Sequence, residues 1–153
     1  MSRENLGIYL NDHLSGSVMA VESLERMLAA NQPSLPAETL KGLLREIEQD
    51  RKVLRSLLER VGVEEQTIKK AAAWLGEKVG RIKLDEGALG RMEMLEALTL
   101  GVLGKLKLWV ALEGVVSKYP ELAGVDYAAL QARAREQHDL VEGLRIKEAL
   151  LAL

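Results

Sequence analysis

The segment of residues 92–116, MEMLEALTLGVLGKLKLWVALEGVV, constrains the fold of this chain more than any other stretch. Between residues 97 and 112 the only charged side chains are Lys105 and Lys107. The segment is too short and too charged to span a bilayer, which requires about 20 consecutive apolar residues. Because so apolar a stretch must be covered in a water-soluble chain, we expect it to be the most buried long helix of a helical bundle.

A helical wheel separates an apolar face of this segment from a polar one. At about 100° per residue, the apolar face contains Leu95, Leu98, Val102, Leu106, Trp109 and Val116. Glu93, Glu96 and Lys107 lie opposite. Lys105 and Lys107 are about 200° apart, so they cannot share a solvent face. We predict that Lys105 points inward, or lies at the margin with only its charge reaching water.

Two helices are predicted before this segment. The first covers about residues 3–30, with His13 near the centre of its apolar stripe, and a proline-rich break follows it. The second begins with Ser34 as its cap and continues to about residue 61, where Gly62 should end it. Its apolar face contains one carboxylate, Asp50.

Two further helices complete the prediction. A shorter amphipathic helix is expected over residues 64–83, with Trp74 at the margin of its apolar face. The last helix begins near Asp126 and continues to the C-terminus, with Gln137 in the middle of its apolar face.

Composition excludes several classes of protein. The 153 residues suit a single domain, residues 1–153, and the chain has no cysteine, so disulfides, thiol catalysis and thiolate metal sites are excluded. A net charge of -2 gives no basic footprint for nucleic acid. The first ten residues lack the apolar core of a secretion signal, so we expect a cytoplasmic protein with no membrane partner. Motifs for a nucleophile elbow, a phosphate-binding loop or zinc are absent from the sequence.

Loop lengths predict how the helices are arranged. The first two helices are joined by a short loop and should be antiparallel, as should the last two. Almost thirty residues separate the pairs, which is enough to travel the length of a bundle. We therefore predict an all-α four-helix bundle of the order up-down, crossover with a short helix, down-up. The alternative is a simple up-down bundle with the middle helix folded across one end.

The crossover arrangement predicts a buried polar layer of His13, Asp50, Lys105 and Gln137. Each of the four lies roughly 10 to 12 residues along its helix from the shared end, which corresponds to one level at about 1.5 Å per residue. We predict an ion pair between Lys105 and Asp50, joined through hydrogen bonds by His13 and Gln137. A mutually bonded layer would offset the cost of burying these groups.

At this point the chain resembles the ferritin-like superfamily. The sequences LNDHL at residues 10–14 and LGVLGK at residues 100–105 are similar to an uncharacterised bacterial branch. The resemblance implies two helical hairpins joined by a long crossover. Its di-iron members carry a glutamate on each of two helices and a Glu-x-x-His pair on each of the other two. This chain has no Glu-x-x-His, because Gln49 follows Glu46 at that spacing and Asp139 follows Glu136.

Metal and catalytic interpretations remain as alternatives to a structural layer. We expect no metal and no cofactor, because a positive Lys105 would repel a cation. The alternative ligand set is His13, Glu46, Asp50 and Glu136. A second cluster, Glu136, His138 and Asp139, is interpreted as a solvated face. Lys105 and Asp50 are interpreted as a structural ion pair, with a catalytic acid–base pair as the alternative.

These considerations favour a non-enzymatic, ferritin-like bundle with a structural or protein-interaction role. Candidate partners are a second copy of the chain, as a homo-oligomer, or an unidentified protein. One alternative is a divergent di-iron or manganese oxidase or metal-storage protein. Another is a carrier of an apolar ligand, with the ligand between the crossover helix and the bundle.

Overall fold

The computed structural model describes residues 2–63 and 87–153, and 86% of this part of the chain is helical. Four long helices and one turn of 3-10 helix are present: α1 (Ser2–Ala30), α2 (Ala37–Val61), α3 (Ala88–Val115), the 3-10 turn (Pro120–Leu122) and α4 (Tyr127–Ala152). These ranges contain no strand. The all-α prediction is therefore confirmed. The predicted helix over residues 64–83, including Trp74, lies outside the described residues.

The end of α2 and the start of α4 lie where the sequence predicted them, whereas the predicted cap of α2 was wrong. Gly62 adopts a left-handed φ of 76° and its N–H bonds to the Leu58 carbonyl, so α2 ends where glycine was predicted to end it. The Asp126 side chain accepts from the Ala129 N–H at 3.0 Å and caps α4. The prediction of Ser34 as the cap of α2 was wrong. Pro36 occupies that position, where the described residues provide no side-chain cap.

The core consists of two apolar clusters, one toward each end of the bundle. The first combines the N-terminal halves of α1 and α4 with the C-terminal halves of α2 and α3. The second combines the opposite halves of the same four helices. Helices α1 and α4 therefore run in one direction, and α2 and α3 run in the other.

These directions match the crossover arrangement. Val61, at the end of α2, belongs to the first cluster, whereas Met94, near the start of α3, belongs to the second. The chain thus leaves α2 at one end of the bundle and enters α3 at the other. A simple up-down order would have made α2 and α3 antiparallel, so that alternative is excluded.

The inner face of α3 lies where the wheel predicted it, and the outer face carries exposed apolar side chains. Leu95, Leu98, Val102 and Trp109 are buried, and Lys107 is exposed. On the opposite side Leu100 is 64% exposed, Leu103 38% and Val110 45%. Helix α1 buries more residues than α3. The expectation that α3 would be the most buried helix was therefore wrong.

Neither described stretch of the chain contains a helix whose length and apolar character would allow it to cross a membrane.

Candidate functional site

A charged layer joins α2, α3 and α4 halfway along the bundle. The Lys105 ammonium donates to Asp50 Oδ2 at 2.6 Å and to Gln137 Oε1. The Lys105 side chain is 15% exposed and that of Asp50 is 4% exposed, so the pair lies largely out of water. The predicted ion pair is present, and Asp50, Lys105 and Gln137 come from three different helices.

The side chains of Arg133 and Glu46 complete this layer. Arg133 donates to Asp50 Oδ1 and to Gln49 Oε1, the latter at 3.1 Å. Gln137 Nε2 donates to Glu46 Oε2 at 3.1 Å. The layer thus contains two carboxylates and two cations, and its formal charges cancel. Sequence reasoning missed Arg133, although its place four residues before Gln137 puts both on one face of α4.

Burial and neighbouring charges act in opposite directions on Lys105. Burial lowers its pKa, because the charged form loses water, and the Asp50 carboxylate opposes this effect by attraction and by its hydrogen bond. Arg133 lowers the pKa further and Glu46 raises it. The protonation of Lys105 is therefore coupled to every other charge in the layer.

His13 lies apart from the hydrogen bonds of this layer. Its ring packs edge-on against Tyr9, with ring centroids 4.7 Å apart. No hydrogen bond joins His13 to Asp50, Lys105 or Gln137, all of which are in the described part of the chain. Burial lowers the pKa of His13, and Asp12 acts against that shift. The structure thus brings together three of the four residues predicted for the layer.

The alternative metal ligands are not brought together. Asp50 has cations on both carboxylate oxygens, and Glu46 accepts from the Gln137 amide. Glu136 is exposed. Among residues 2–63 and 87–153, no three His, Asp or Glu side chains form a group that could hold a metal ion.

The cluster of Glu136, His138 and Asp139 on α4 lies at the protein surface. His138 Nδ1 lies 3.5 Å from Asp139 Oδ1 at the protein surface. The Asp139 side chain is 85% exposed, so an ion bound there would be held mainly by water. This arrangement agrees with the interpretation of the cluster as a solvated face.

A cavity of about 270 Å³ lies beside the charged layer, between α1, α2 and α3. Most of its wall is apolar: Met19, Ala20, Ile47, Leu54, Val102, Leu108 and Trp109. Asp50, Arg51 and Lys105 lie on the wall contributed by α2 and α3, and Asp12 and His13 lie on the α1 side. The cavity therefore combines an apolar body with a margin of two carboxylates and two cations, whose formal charges cancel.

Glycines create this space. Gly16, Gly101 and Gly104 all line the cavity. A Cβ added at Gly16 or Gly104 would have no described atom within 4 Å, and one at Gly101 would meet only the end of Met19, at 3.9 Å. The helices thus do not approach closely at Gly101 and Gly104. Because glycine has no side chain, these three residues leave space at a level where a protein interior is normally filled by side chains.

Trp109 lies on the cavity wall, but its polar atom is buried and does not face the open space. Its side chain is fully buried on the cavity wall, and its ring centroid is 6.4 Å from that of Tyr127. The indole Nε1–H has no acceptor among the described residues. A buried donor without an acceptor costs free energy, and a molecule in the cavity would not reach this donor without a movement of the Trp109 side chain.

A second buried ion pair lies toward the end of the bundle where α3 begins and α4 ends. Arg91 Nε donates to Glu148 Oε2 at 2.9 Å, and the Glu148 side chain has no exposed surface. Sequence reasoning missed this pair. Its signal was the spacing of Glu148, which lies eleven residues, or three helical turns, after Gln137 and therefore on the same inward face.

Comparisons with models of protein families, with curated proteins and with solved structures gave no match to this chain.

Proposed function

We propose that this chain is a non-enzymatic, ferritin-like bundle that binds a small, neutral, largely apolar molecule in the mid-bundle cavity. The ferritin-like assignment is supported by the helix directions and by the polar layer halfway along the bundle. In place of metal ions, the charges of Lys105 and Arg133 neutralise the carboxylates of that layer. The layer then has a structural role.

The observation that carries the binding proposal is the glycine-lined cavity. An apolar cavity of about 150 Å³ holds benzene, so a cavity of about 270 Å³ has room for a molecule with two fused rings. A fully packed bundle would gain stability by filling such a space with side chains. Gly16 and Gly104 keep it open, although glycine inside a helix costs about 0.5–1 kcal/mol relative to alanine.

The charges around the cavity favour a neutral ligand. On the wall, the carboxylates of Asp12 and Asp50 are matched in number by the cations of Arg51 and Lys105, so an anion or a cation entering the cavity would add a charge without compensation. The ligand class is therefore an uncharged apolar ring or short chain.

Calorimetric titration with 2-naphthol and with naphthalene tests this proposal. We expect both compounds to bind, because each is a neutral molecule with two fused rings. Gly16→Leu should fill the cavity and weaken 2-naphthol binding at least about tenfold, or 1.4 kcal/mol. Gly143→Leu is the matched control, because Gly143 lies on the exposed side of α4 with open space around it among the described atoms.

Two results would refute the proposal. One is the failure of the wild-type protein to bind either compound. The other is binding that Gly16→Leu leaves unchanged, which would locate the compound elsewhere.

A further inference from the structure

The outer face of α3 carries a continuous stripe of exposed residues at heptad spacing. Steps of four and three residues alternate along it, and its members are Leu89, Glu93, Glu96, Leu100, Leu103, Lys107, Val110 and Gly114. All eight are exposed. This spacing is that of a coiled-coil seam, in which the stripe of one helix packs against that of another. We define these eight residues as the outer seam.

The centre of the outer seam is apolar. Leu100 and Leu103 lie one turn apart, and Val110 follows two turns later. Their exposure contrasts with the burial of the leucines on the inner face of the same helix. Exposed apolar side chains grouped along one helix face mark an interaction surface.

The outer seam is complementary to itself when two copies of α3 run antiparallel. With the two-fold axis between residues 101 and 102, Leu100 lies opposite Leu103 of the partner subunit. In the same register Glu96 lies opposite Lys107 of the partner subunit. The two-fold symmetry repeats both pairings, so the centre of the seam contains two leucine layers flanked by two pairs of opposite charge.

The outer layers of the seam are compatible with the same register. Leu89 lies opposite Gly114 of the partner subunit, and a Cβ at Gly114 would meet no described atom within 4 Å. The glycine therefore leaves room for a leucine. Glu93 lies opposite Val110 of the partner subunit, at a position where the carboxylate can extend into water.

Charge also determines the direction of pairing. Two parallel copies in register would place Glu96 against Glu96 and Lys107 against Lys107, and like charges at facing positions are destabilising. Within one chain Glu96 lies 3.5 Å from Arg145, which has a closer partner in Glu142 at 2.6 Å. Glu96 therefore has both the exposure and the position to pair across the seam.

We propose that this chain forms an antiparallel homodimer through the outer seam of α3. A second copy is the occupant because one stripe supplies both members of each charge pair and both halves of the leucine layers. Helix α3 is 28 residues, or about 42 Å, long, so the seam extends along most of the bundle. This proposal is independent of the cavity, which lies on another side of α3.

Sedimentation equilibrium of the full chain across a range of concentrations tests the dimer. We expect the wild-type protein to be a dimer at micromolar concentration. Leu103→Glu should raise the dimer dissociation constant at least about tenfold, since it places a charge in the apolar centre. Leu140→Glu is the matched control, because Leu140 is exposed to a similar degree, 41%, but lies on α4.

A charge exchange tests the antiparallel register. Glu96→Lys alone and Lys107→Glu alone should each weaken the dimer, because each places like charges opposite one another. The double variant restores opposite charges and should recover the wild-type dissociation constant. Both positions are exposed, and circular dichroism will show whether each variant remains folded.

A monomeric wild-type protein would overturn the proposal. So would a dimer that Leu103→Glu does not weaken, or a double charge exchange that fails to restore association.

Discussion

At the scale of single residues, the wheel of α3 predicted the inward lysine from two positions alone. Lys105 and Lys107 are two residues apart, and only one of them could face water. Arg133 could not be assigned in this way, since the wheel places its Cβ on the edge of the inner face but does not show how far the side chain reaches. That two cations, Lys105 and Arg133, bind the Asp50 carboxylate is therefore known only from the structure.

His13 gives a prediction for the pH dependence of stability. Its pKa in the folded protein is lowered from the usual value of 6.5, mainly by burial. As the pH falls below 6.5, the unfolded chain takes up a proton before the folded chain does, so the free energy of unfolding decreases. The decrease continues until the pH falls below the lowered pKa, and no such change occurs above the usual value.

Denaturant unfolding of wild-type protein and His13→Gln between pH 5 and pH 8 measures this effect. The carboxylates titrate in both proteins, so the difference between them isolates His13. We expect the wild-type protein to lose stability relative to His13→Gln on the acid side only. A difference that is independent of pH would show that His13 is as accessible to protons in the folded chain as in the unfolded one.

At the scale of helices, Gly62 and Asp126 set boundaries that could be read from the sequence, because each acts through its own backbone or through residues close to it. The exposure of Leu100 could not be read in the same way. Apolar periodicity indicates that a helix face prefers to be covered, but it does not indicate whether the same chain or a second copy covers it. The role of Gly104 could not be read from the sequence either, since a glycine inside a helix is compatible with both a tight helix contact and an open cavity.

Two glycines of α1 provide a matched test of packing. Gly16 lies on the cavity, where an added Cβ meets no described atom within 4 Å, whereas a Cβ on Gly7 would lie 2.6 Å from Val63. Gly16→Ala should raise the free energy of unfolding by about 0.5–1 kcal/mol, since alanine is the better helix former. Gly7→Ala should lower it, because Val63 must move. Thermal and denaturant unfolding of the two variants gives both values, and equal effects of the same sign would show that the cavity is not open at Gly16.

At the scale of the whole molecule, the directions of the four helices could be predicted from the lengths of the connections. A short loop forces α1 and α2 to be antiparallel, and the long connection before α3 permits a crossing from one end of the bundle to the other. The level of the layer followed from counting residues along each helix. The lateral position of each helix could not be predicted by counting residues. This position decides which side chains meet, and it places His13 on the cavity wall and Glu46 and Arg133 in the layer.

The central claim is that the side-chain charges at the middle of the bundle neutralise one another, so that none is left buried without a partner. The direct test is the free energy of unfolding of Asp50→Leu, Lys105→Met and the double variant. Asp50→Leu should cost about 3–5 kcal/mol, because it leaves buried cations without a partner. Lys105→Met should cost less, since Arg133 still binds Asp50. The double variant keeps Arg133 and Glu46, whose charges cancel, and should recover much of the loss. Single losses of only about 0.5 kcal/mol, as for ordinary surface positions, or a double loss equal to the sum of the single losses, would contradict the claim.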